Sequence, residues 1–79
     1  MRRVPPFQLT GGPAYAYVQV AAHLEARIRA GELTARLPGE QALREEYGVA
    51  LGTVRKAVGV LRDRGLVVTV PSLGTFVSP

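Results

Sequence analysis

The spacing of apolar residues changes once along the chain, and this change constrains the possible folds more than any other feature of the sequence. Before about residue 65, apolar residues recur every three or four positions, which is typical of helices with one buried face. The next residues, Leu66 to Val70, are mostly β-branched, which is typical of a strand. Glycines at positions 31, 48 and 65 divide the first part into segments. The sequence therefore predicts three helices and then a β-hairpin.

The first predicted helix runs from Ala14 to Ala30 and ends at Gly31, because glycine is favoured just after a helix C-terminus. Its buried face is predicted from residues three or four positions apart: Tyr17, Ala21, Leu24 and Ile28. Three further apolar residues would broaden this face on either side: Val18, Val20 and Ala22.

Two further helices are predicted after an extended connection over residues 32–38. The second runs from about Glu40 to Glu46, before Gly48. The third runs from about Leu51 to Arg64, before Gly65. The apolar pattern predicts the buried side chains of these segments: Leu33, Leu37, Leu43, Tyr47, Val54, Ala57, Val58 and Leu61.

The last part of the chain is predicted to form a hairpin. Leu66 to Val70 is the first strand, residues 71–74 are the turn, and Thr75 to Val77 is the second strand. Its apolar residues are interpreted as core or sheet residues: Leu66, Val68, Val70 and Phe76. Three helices plus a small two-stranded hairpin, with few residues between helices two and three, indicate a mainly α-helical winged helix-turn-helix.

Residues 1–13 contain three prolines and two glycines and show no periodicity. They are interpreted as a flexible arm that precedes a domain over residues 14–79. Arg2 and Arg3 either reach DNA, as basic arms do in some proteins, or belong to a solvated leader without a role.

Composition excludes several classes of protein. The chain has no cysteine, so it can form neither a disulfide nor a cysteine zinc site. Its single histidine, His23, also excludes the usual multi-histidine metal sites and is interpreted as a structural residue. The sequence has no recognisable set of catalytic residues and no phosphate-binding glycine loop. We therefore expect that the chain is not an enzyme and binds no cofactor. No apolar run reaches membrane-spanning length and no secretory signal is recognisable, which predicts a cytoplasmic location without membrane contact. The net charge of +4 favours a polyanionic partner.

Seven short motifs follow the predicted elements in order along the chain. They are Tyr17-Val18-Gln19-Val20-Ala21, Ile28-Arg29-Ala30-Gly31, Leu37-Pro38-Gly39-Glu40, Tyr47-Gly48-Val49, Thr53-Val54-Arg55-Lys56-Ala57, Gly65-Leu66-Val67 and Gly74-Thr75-Phe76-Val77. In this order and spacing they resemble the DNA-binding domain of the GntR family of bacterial regulators. The resemblance covers about residues 13–78.

The resemblance implies a transcriptional regulator, usually a repressor, that binds a short inverted repeat in double-stranded DNA as a homodimer. It places helix three in the major groove and the hairpin wing at the minor groove. In most of the family an effector domain that binds a small metabolite follows the wing. We therefore expect a small-molecule effector only if such a domain exists beyond this chain, and a monomer or weak dimer without DNA.

The first turn of helix two is a candidate phosphate site, because its backbone amides are free to bind an anion. Gly39 stands where the family commonly has serine, followed by Glu40 and Gln41. Gln41 occupies a position that often contacts DNA in the family, but it is equally consistent with a solvated surface residue.

Helix three carries the largest group of candidate DNA contacts. Thr53 can bind a phosphate or a thymine methyl, and Arg55 and Lys56 supply charge. The alternative for Arg55 is a surface ion pair with Glu45 or Glu46. The chain departs from the family at Ala50-Leu51-Gly52, where an arginine that reads bases usually follows a serine, and apolar contact with a thymine methyl is expected instead.

The wing contributes Ser72, Gly74 and Thr75 as candidate contacts, and it contains no lysine or arginine. Ser72 stands at the position of the family's usual first wing glycine. A second hypothesis follows from these departures: the chain could be a winged-helix protein-interaction module whose DNA face has decayed through Gly39, Leu51 and Ser72.

Overall fold

The structure is a computed structural model that describes residues 3–12 and 15–79, and this part of the chain forms three helices and a two-stranded sheet. In chain order they are α1 (Ala16–Arg29), α2 (Glu40–Tyr47), α3 (Leu51–Asp63), β1 (Val67–Val70) and β2 (Gly74–Val77). The predicted winged helix-turn-helix is confirmed. The described part has no helix long and apolar enough to cross a membrane. Four residues lie outside the description, among them the predicted end of the arm and the predicted start of helix one: Met1, Arg2, Pro13 and Ala14.

The core lies where α1, α2 and α3 meet the first residue of the hairpin. Its six largest fully enclosed side chains come from all of these elements: Val20, Leu24, Leu43, Val54, Leu61 and Val67. The predicted buried face of α3 is confirmed, because Val54, Ala57, Val58 and Leu61 are all buried. Each Å² of apolar surface buried at this junction contributes about 25 cal/mol of stabilisation. This burial fixes how α3 lies against the other helices.

The buried face of α1 is rotated from the predicted one. Ala16, Val20, Ala21 and Leu24 are buried, whereas Tyr17 and Ile28 are only partly covered. Val18 and Ala22 are exposed, so the prediction that they broaden the buried face was wrong. The first turns of α1 are apolar on nearly every side, and spacing alone does not select one face of such a helix.

The turn between α2 and α3 is short because Gly48 reverses the chain in the left-handed conformation, with φ 64°. Its amide donates a 2.9 Å hydrogen bond to the carbonyl of Arg44, which ends α2. Ala50 is extended, and its carbonyl accepts the amide hydrogens of Thr53 and Val54 at 3.0 and 3.2 Å. The N-terminus of α3 therefore lies close to the C-terminus of α2.

The hairpin pairs antiparallel from Val67 opposite Val77 to Val70 opposite Gly74. The connection before α2 joins it, because Arg36 forms a bridge with Phe76. The amide of Leu37 donates to the Thr75 carbonyl at 2.8 Å, and the amide of Val77 donates to the Ala35 carbonyl at 2.7 Å. The predicted extended connection thus also lies along the outer side of β2.

The two faces of β1 differ in burial. Val67 is buried against the helices, whereas Val68 and Val70 are 52% and 37% exposed. Successive side chains of a strand point to opposite faces, and burial of Val67 therefore turns its apolar neighbours outward. Val68 and Val70 belong to the sheet, as predicted, but not to the core.

Residues 3–12, predicted to be part of a flexible arm, lie against α1 and α2. The ring of Phe7 meets those of His23 and Tyr47 edge to face, with centroids 5.5 and 4.9 Å apart. His23 Nε2 lies 2.7 Å from the Pro5 carbonyl, which only accepts, so Nε2 carries the proton. His23 Nδ1 then accepts the Tyr47 hydroxyl hydrogen over 2.7 Å. These contacts give His23 a structural role and attach the segment to the domain.

Candidate nucleic-acid interface

A groove of about 520 Å³ lies between the start of α2, the exposed side of α3 and the wing. Six of the predicted DNA-binding residues line it: Gly39, Glu40, Arg55, Ser72, Gly74 and Thr75. The other six do not line it: Gln41, Ala50, Leu51, Gly52, Thr53 and Lys56. The predicted residues therefore divide between this groove and the elements around it.

The start of α3 forms an accessible surface beside the groove. Ala50 caps the helix in an extended conformation, and Gly52 is exposed, with open space around the position where its Cβ would lie. Leu51 and Thr53 are half-buried. Leu51 lies outside the cluster of core residues, so its side chain is available at the helix terminus.

Arg55 of α3 pairs with Glu40 of α2. Arg55 Nε lies 3.0 Å from Glu40 Oε2, and Nη2 lies 3.2 Å from Oε1. The alternative partners considered for Arg55 were wrong, because Glu46 instead binds Arg27 at 3.1 Å and Glu40 is the residue that the first turn of α2 presents to α3. The hydrogen bonds that Arg55 donates to this carboxylate raise the pKa of Arg55. Both side chains are more than half exposed, so the pair remains open to a competing anion.

Lys56 faces away from the groove. Its Nζ lies 4.7 Å from the centroid of the Tyr17 ring, which belongs to α1. Adjacent residues of a helix point about 100° apart. The side chains of Arg55 and Lys56 therefore lie on different sides of α3. The structure does not bring Lys56 together with the other predicted contacts.

The N-terminal end of α2 has no side-chain cap. Gly39 occupies the cap position with φ −63° and ψ 165°, and no side chain binds the first amides. Gln41 is exposed in the same turn. The positive end of the helix dipole and these amides favour an anion, and the neighbouring carboxylate of Glu40 is balanced by Arg55.

The wing turn has an unusual backbone at two predicted positions. Ser72 has φ 67°, a left-handed conformation in which glycine is favoured. Gly74 has φ 126°, and a Cβ there would lie 2.7 Å from Arg36 Nε. The backbone angle of Gly74 therefore requires glycine, and the Arg36 side chain passes through the space that a Cβ would take.

Thr75 takes part in a hydroxyl pair across the wing. Thr69 Oγ1 accepts hydrogens from Arg62 Nε and Nη2 at 3.2 and 3.0 Å, and it lies 3.0 Å from Thr75 Oγ1. With both lone pairs of its oxygen engaged, Thr69 donates its own hydrogen to Thr75. The hydroxyl hydrogen of Thr75 stays available at the groove.

Two groove residues were missed as candidate contacts by the sequence analysis: Arg36 and Arg62. Arg62 follows Arg55 by seven residues, which places both on one side of α3, and this spacing could have identified it. Arg36 had no such signal, because its position depends on pairing between an irregular segment and β2.

The charges of the groove suit an anion. Among its lining residues are three arginines, Arg36, Arg55 and Arg62, and a single carboxylate, that of Glu40. The described residues hold no group of three or more side chains suited to a metal ion. Planar guanidinium groups form paired hydrogen bonds with phosphate, so the arrangement is suited to a phosphodiester backbone.

Residues 16–77 match a family model described as bacterial regulatory proteins, gntR family. The chain is 34% identical over 70 residues to the HTH-type transcriptional regulator SmoD of Agrobacterium fabrum, covering 86% of this chain and 30% of SmoD. It is 37% identical over 68 residues to the HTH-type transcriptional repressor NagR of Bacillus subtilis, covering 84% of this chain and 28% of NagR. The chain thus spans less than a third of each of these relatives.

Solved structures show the same fold in a DNA complex. The AraR DNA-binding domain in complex with operator ORX1 superposes with a TM-score of 0.80 at 34% identity, over 89% of this chain and 93% of that domain. The same domain with operator ORE1 gives a TM-score of 0.78 at 34% identity, over 91% of this chain and 94% of that domain.

Proposed function

The chain belongs to the GntR family of bacterial regulatory proteins, and we propose that it binds specific sequences in double-stranded DNA as the DNA-binding domain of a transcriptional regulator. The observation that carries this proposal is the accessible start of α3 beside a groove lined by three arginines. The AraR domain, which was crystallised with operator DNA, has the same fold at 34% identity. The chain acts by binding and not by catalysis.

The proposed docking places α3 in the major groove with Ala50, Leu51, Gly52 and Thr53 at base edges. Thr53 and Leu51 can contact thymine methyl groups, while Arg55 holds a phosphate. The uncapped amides at Gly39 to Gln41 face a neighbouring phosphate. The wing follows the adjacent minor groove, with Ser72 and Thr75 as hydroxyl donors.

The regulator is proposed to act in the cytoplasm as a repressor, on an inverted repeat bound by two copies. NagR carries the name of a repressor, and a helix-turn-helix dimer reads two half-sites about one helical turn apart. The AraR DNA-binding domain and this chain are of similar length. A small-molecule effector is proposed only if an effector domain exists beyond residues 1–79.

Binding to duplexes of random and selected sequence tests the proposal. Titration of random duplex at several salt concentrations should give an affinity that falls steeply with salt, since bound cations release counterions from DNA. Selection from a random library should then enrich an inverted repeat that binds about 10³-fold or more tightly than random duplex. Equal affinity for all duplexes, or none for any, contradicts the proposal.

The exposed apolar side of the wing favours a second candidate, a protein-interaction module. Val68, Val70 and Leu73 are exposed, at 52%, 37% and 60%, and no charged residue interrupts them along the wing. Apolar surface of this kind is common at protein interfaces. A chain that fails to bind any duplex but binds a protein partner through these residues would support this candidate.

A further inference from the structure

We propose that Arg36 and Arg62 hold the phosphate backbone of the bound duplex alongside the wing, replacing cationic residues that the wing itself lacks. The proposal rests on the proposed DNA-binding function and deepens it by assigning two contacts outside the family motifs. Residues 66–79 contain no lysine, arginine or histidine. A wing of this composition offers hydroxyl donors but no positive charge, so the charge that attracts phosphate must come from neighbouring elements.

Arg36 reaches the wing from the extended connection before α2. Its backbone is fixed beside β2 by the flanking bonds from Leu37 to Thr75 and from Val77 to Ala35, at 2.8 and 2.7 Å. Its guanidinium group passes over Gly74, where a Cβ would lie 2.7 Å from Nε and 3.4 Å from Cζ. The bare backbone of Gly74 therefore leaves the space that this guanidinium group occupies at the groove.

Arg62 supplies charge from the α3 side of the same groove. It lies seven residues after Arg55, about 10 Å further along the helix axis. Gly59 lies between them, and open space surrounds the position of its missing Cβ. The hydrogen bonds to Thr69 use two of the five N–H groups of Arg62, which leaves three for an anion.

The two arginines are free to neutralise phosphate. Among the described residues, the ion pairs include neither Arg36 nor Arg62, whereas Arg55 is paired with Glu40. Both are exposed. Thr75 also lines the groove, and its hydroxyl retains a hydrogen to donate. Two forked cations and a hydroxyl donor around one groove match a phosphodiester strand in charge and hydrogen bonding.

Salt-dependent binding of the variants Arg36→Gln and Arg62→Gln, singly and together, tests the proposal. The slope of log K against log salt on random duplex should fall by about one unit for each arginine removed. The matched control is the double variant Arg29→Gln and Arg64→Gln, which removes the same charge from two arginines that bind Glu25 outside the groove. Its slope should stay close to that of the wild type.

Lysine substitutions and neutral phosphates separate a direct contact from a structural role. Arg36→Lys and Arg62→Lys keep the charge and should retain the wild-type slope. Single phosphates of the selected site can be replaced by uncharged methylphosphonates. At the phosphates that Arg36 and Arg62 contact, this replacement should weaken binding of the wild type but not of the glutamine double variant. Thermal unfolding of each variant checks that the fold is intact.

The outcomes distinguish this proposal from the function on which it rests. If the wild type shows no salt-dependent binding to duplex DNA, or binds only an acidic peptide such as polyglutamate, both fail. If the wild type binds duplex and the glutamine double variant keeps its slope, only the assignment of Arg36 and Arg62 fails. It also fails if the control loses as much slope as the double variant, or if the lysine variants lose it.

Discussion

Arg55 and Glu40 face each other with two parallel hydrogen bonds of 3.0 and 3.2 Å, which join α3 to the first turn of α2. Exposed pairs of this kind contribute little to stability, because water competes for both partners. The pair instead orients the guanidinium group between the two elements that are proposed to meet DNA. A phosphate that approaches Arg55 must share it with the Glu40 carboxylate.

Substitution of Arg55 by alanine should weaken binding to every duplex. The lost contact is to phosphate, so the salt slope on random duplex should fall by about one unit. Sequence preference in a binding-site selection should not change. Titration across a range of salt concentrations measures the slope. An affinity and slope equal to those of the wild type would remove Arg55 from the interface.

Glu40→Gln should have the opposite effect. Without the carboxylate, Arg55 is free for phosphate and the start of α2 no longer repels the backbone. Binding to random duplex should therefore tighten, and the salt slope should become steeper. Gln41→Glu, which adds a carboxylate to the same exposed turn, is the matched control and should weaken binding. Weaker binding by Glu40→Gln would mean that Glu40 positions Arg55 rather than competing for it.

The wing turn makes a prediction about stability. In Ser72→Gly, relief of about 1–2 kcal/mol of left-handed backbone strain exceeds the added flexibility of glycine in the unfolded chain, about 0.5–1 kcal/mol. The variant should therefore be more stable by up to about 1 kcal/mol. Gly74→Ala should be destabilised, because residues with a Cβ rarely adopt its φ of 126°, and the added Cβ would also displace the Arg36 side chain. Urea unfolding measures both, and a destabilised Ser72→Gly variant would contradict the argument.

Ionisation of Tyr47 should lower the free energy of unfolding at high pH. Burial raises the pKa of this phenol above its ordinary value of 10.0, and the hydrogen bond from Arg27 offsets part of the effect. The folded state therefore holds the proton more tightly than the unfolded state. The resulting stability is present below pH 10 and is lost as the pH rises through the folded-state pKa. Urea unfolding between pH 8 and 11 should show this loss in the wild type and a smaller one in Tyr47→Phe.

The helices could be predicted because the position of each helix depends mainly on the local pattern of apolar residues and glycines. The face of α3 was correct because Val54, Val58 and Leu61 share one side of the helix, while charged residues such as Arg55, Lys56 and Arg62 lie on the others. The face of α1 was not, because its first turns offer apolar residues on several sides. In the wing, three valines in four positions left open which of them is buried, and contact with α3 selects Val67.

The groove was only partly predictable, because two of its charges depend on contacts between distant segments. Arg36 reaches it through pairing of an irregular segment with β2, and the pairing of Glu40 with Arg55 depends on how α2 lies beside α3. Neither relationship has a periodic signal in the sequence. Phe7 likewise packs on His23 and Tyr47 from a segment whose prolines and glycines indicated a free arm.

Leu51→Arg tests the docking of α3 most directly, because it introduces the base-reading residue of the family at the helix N-terminus. In the proposed orientation residue 51 faces base edges, where an arginine can bind guanine O6 and N7 and gain about 1–3 kcal/mol of discrimination. The added charge should also tighten binding to random duplex slightly. Binding-site selection should therefore show a new guanine preference at one position of each half-site, together with higher affinity.

Two features of the structure indicate that the fold will tolerate this change and make its failure informative. Leu51 is half-buried and outside the core cluster, which begins on α3 with Val54. Leu51→Gln, a variant of similar size without charge, is the control, because it separates loss of the leucine from gain of the cation. An unfolded arginine variant would show that Leu51 supports the core. A folded variant that binds no sequence more tightly would show that this end of α3 does not face base pairs.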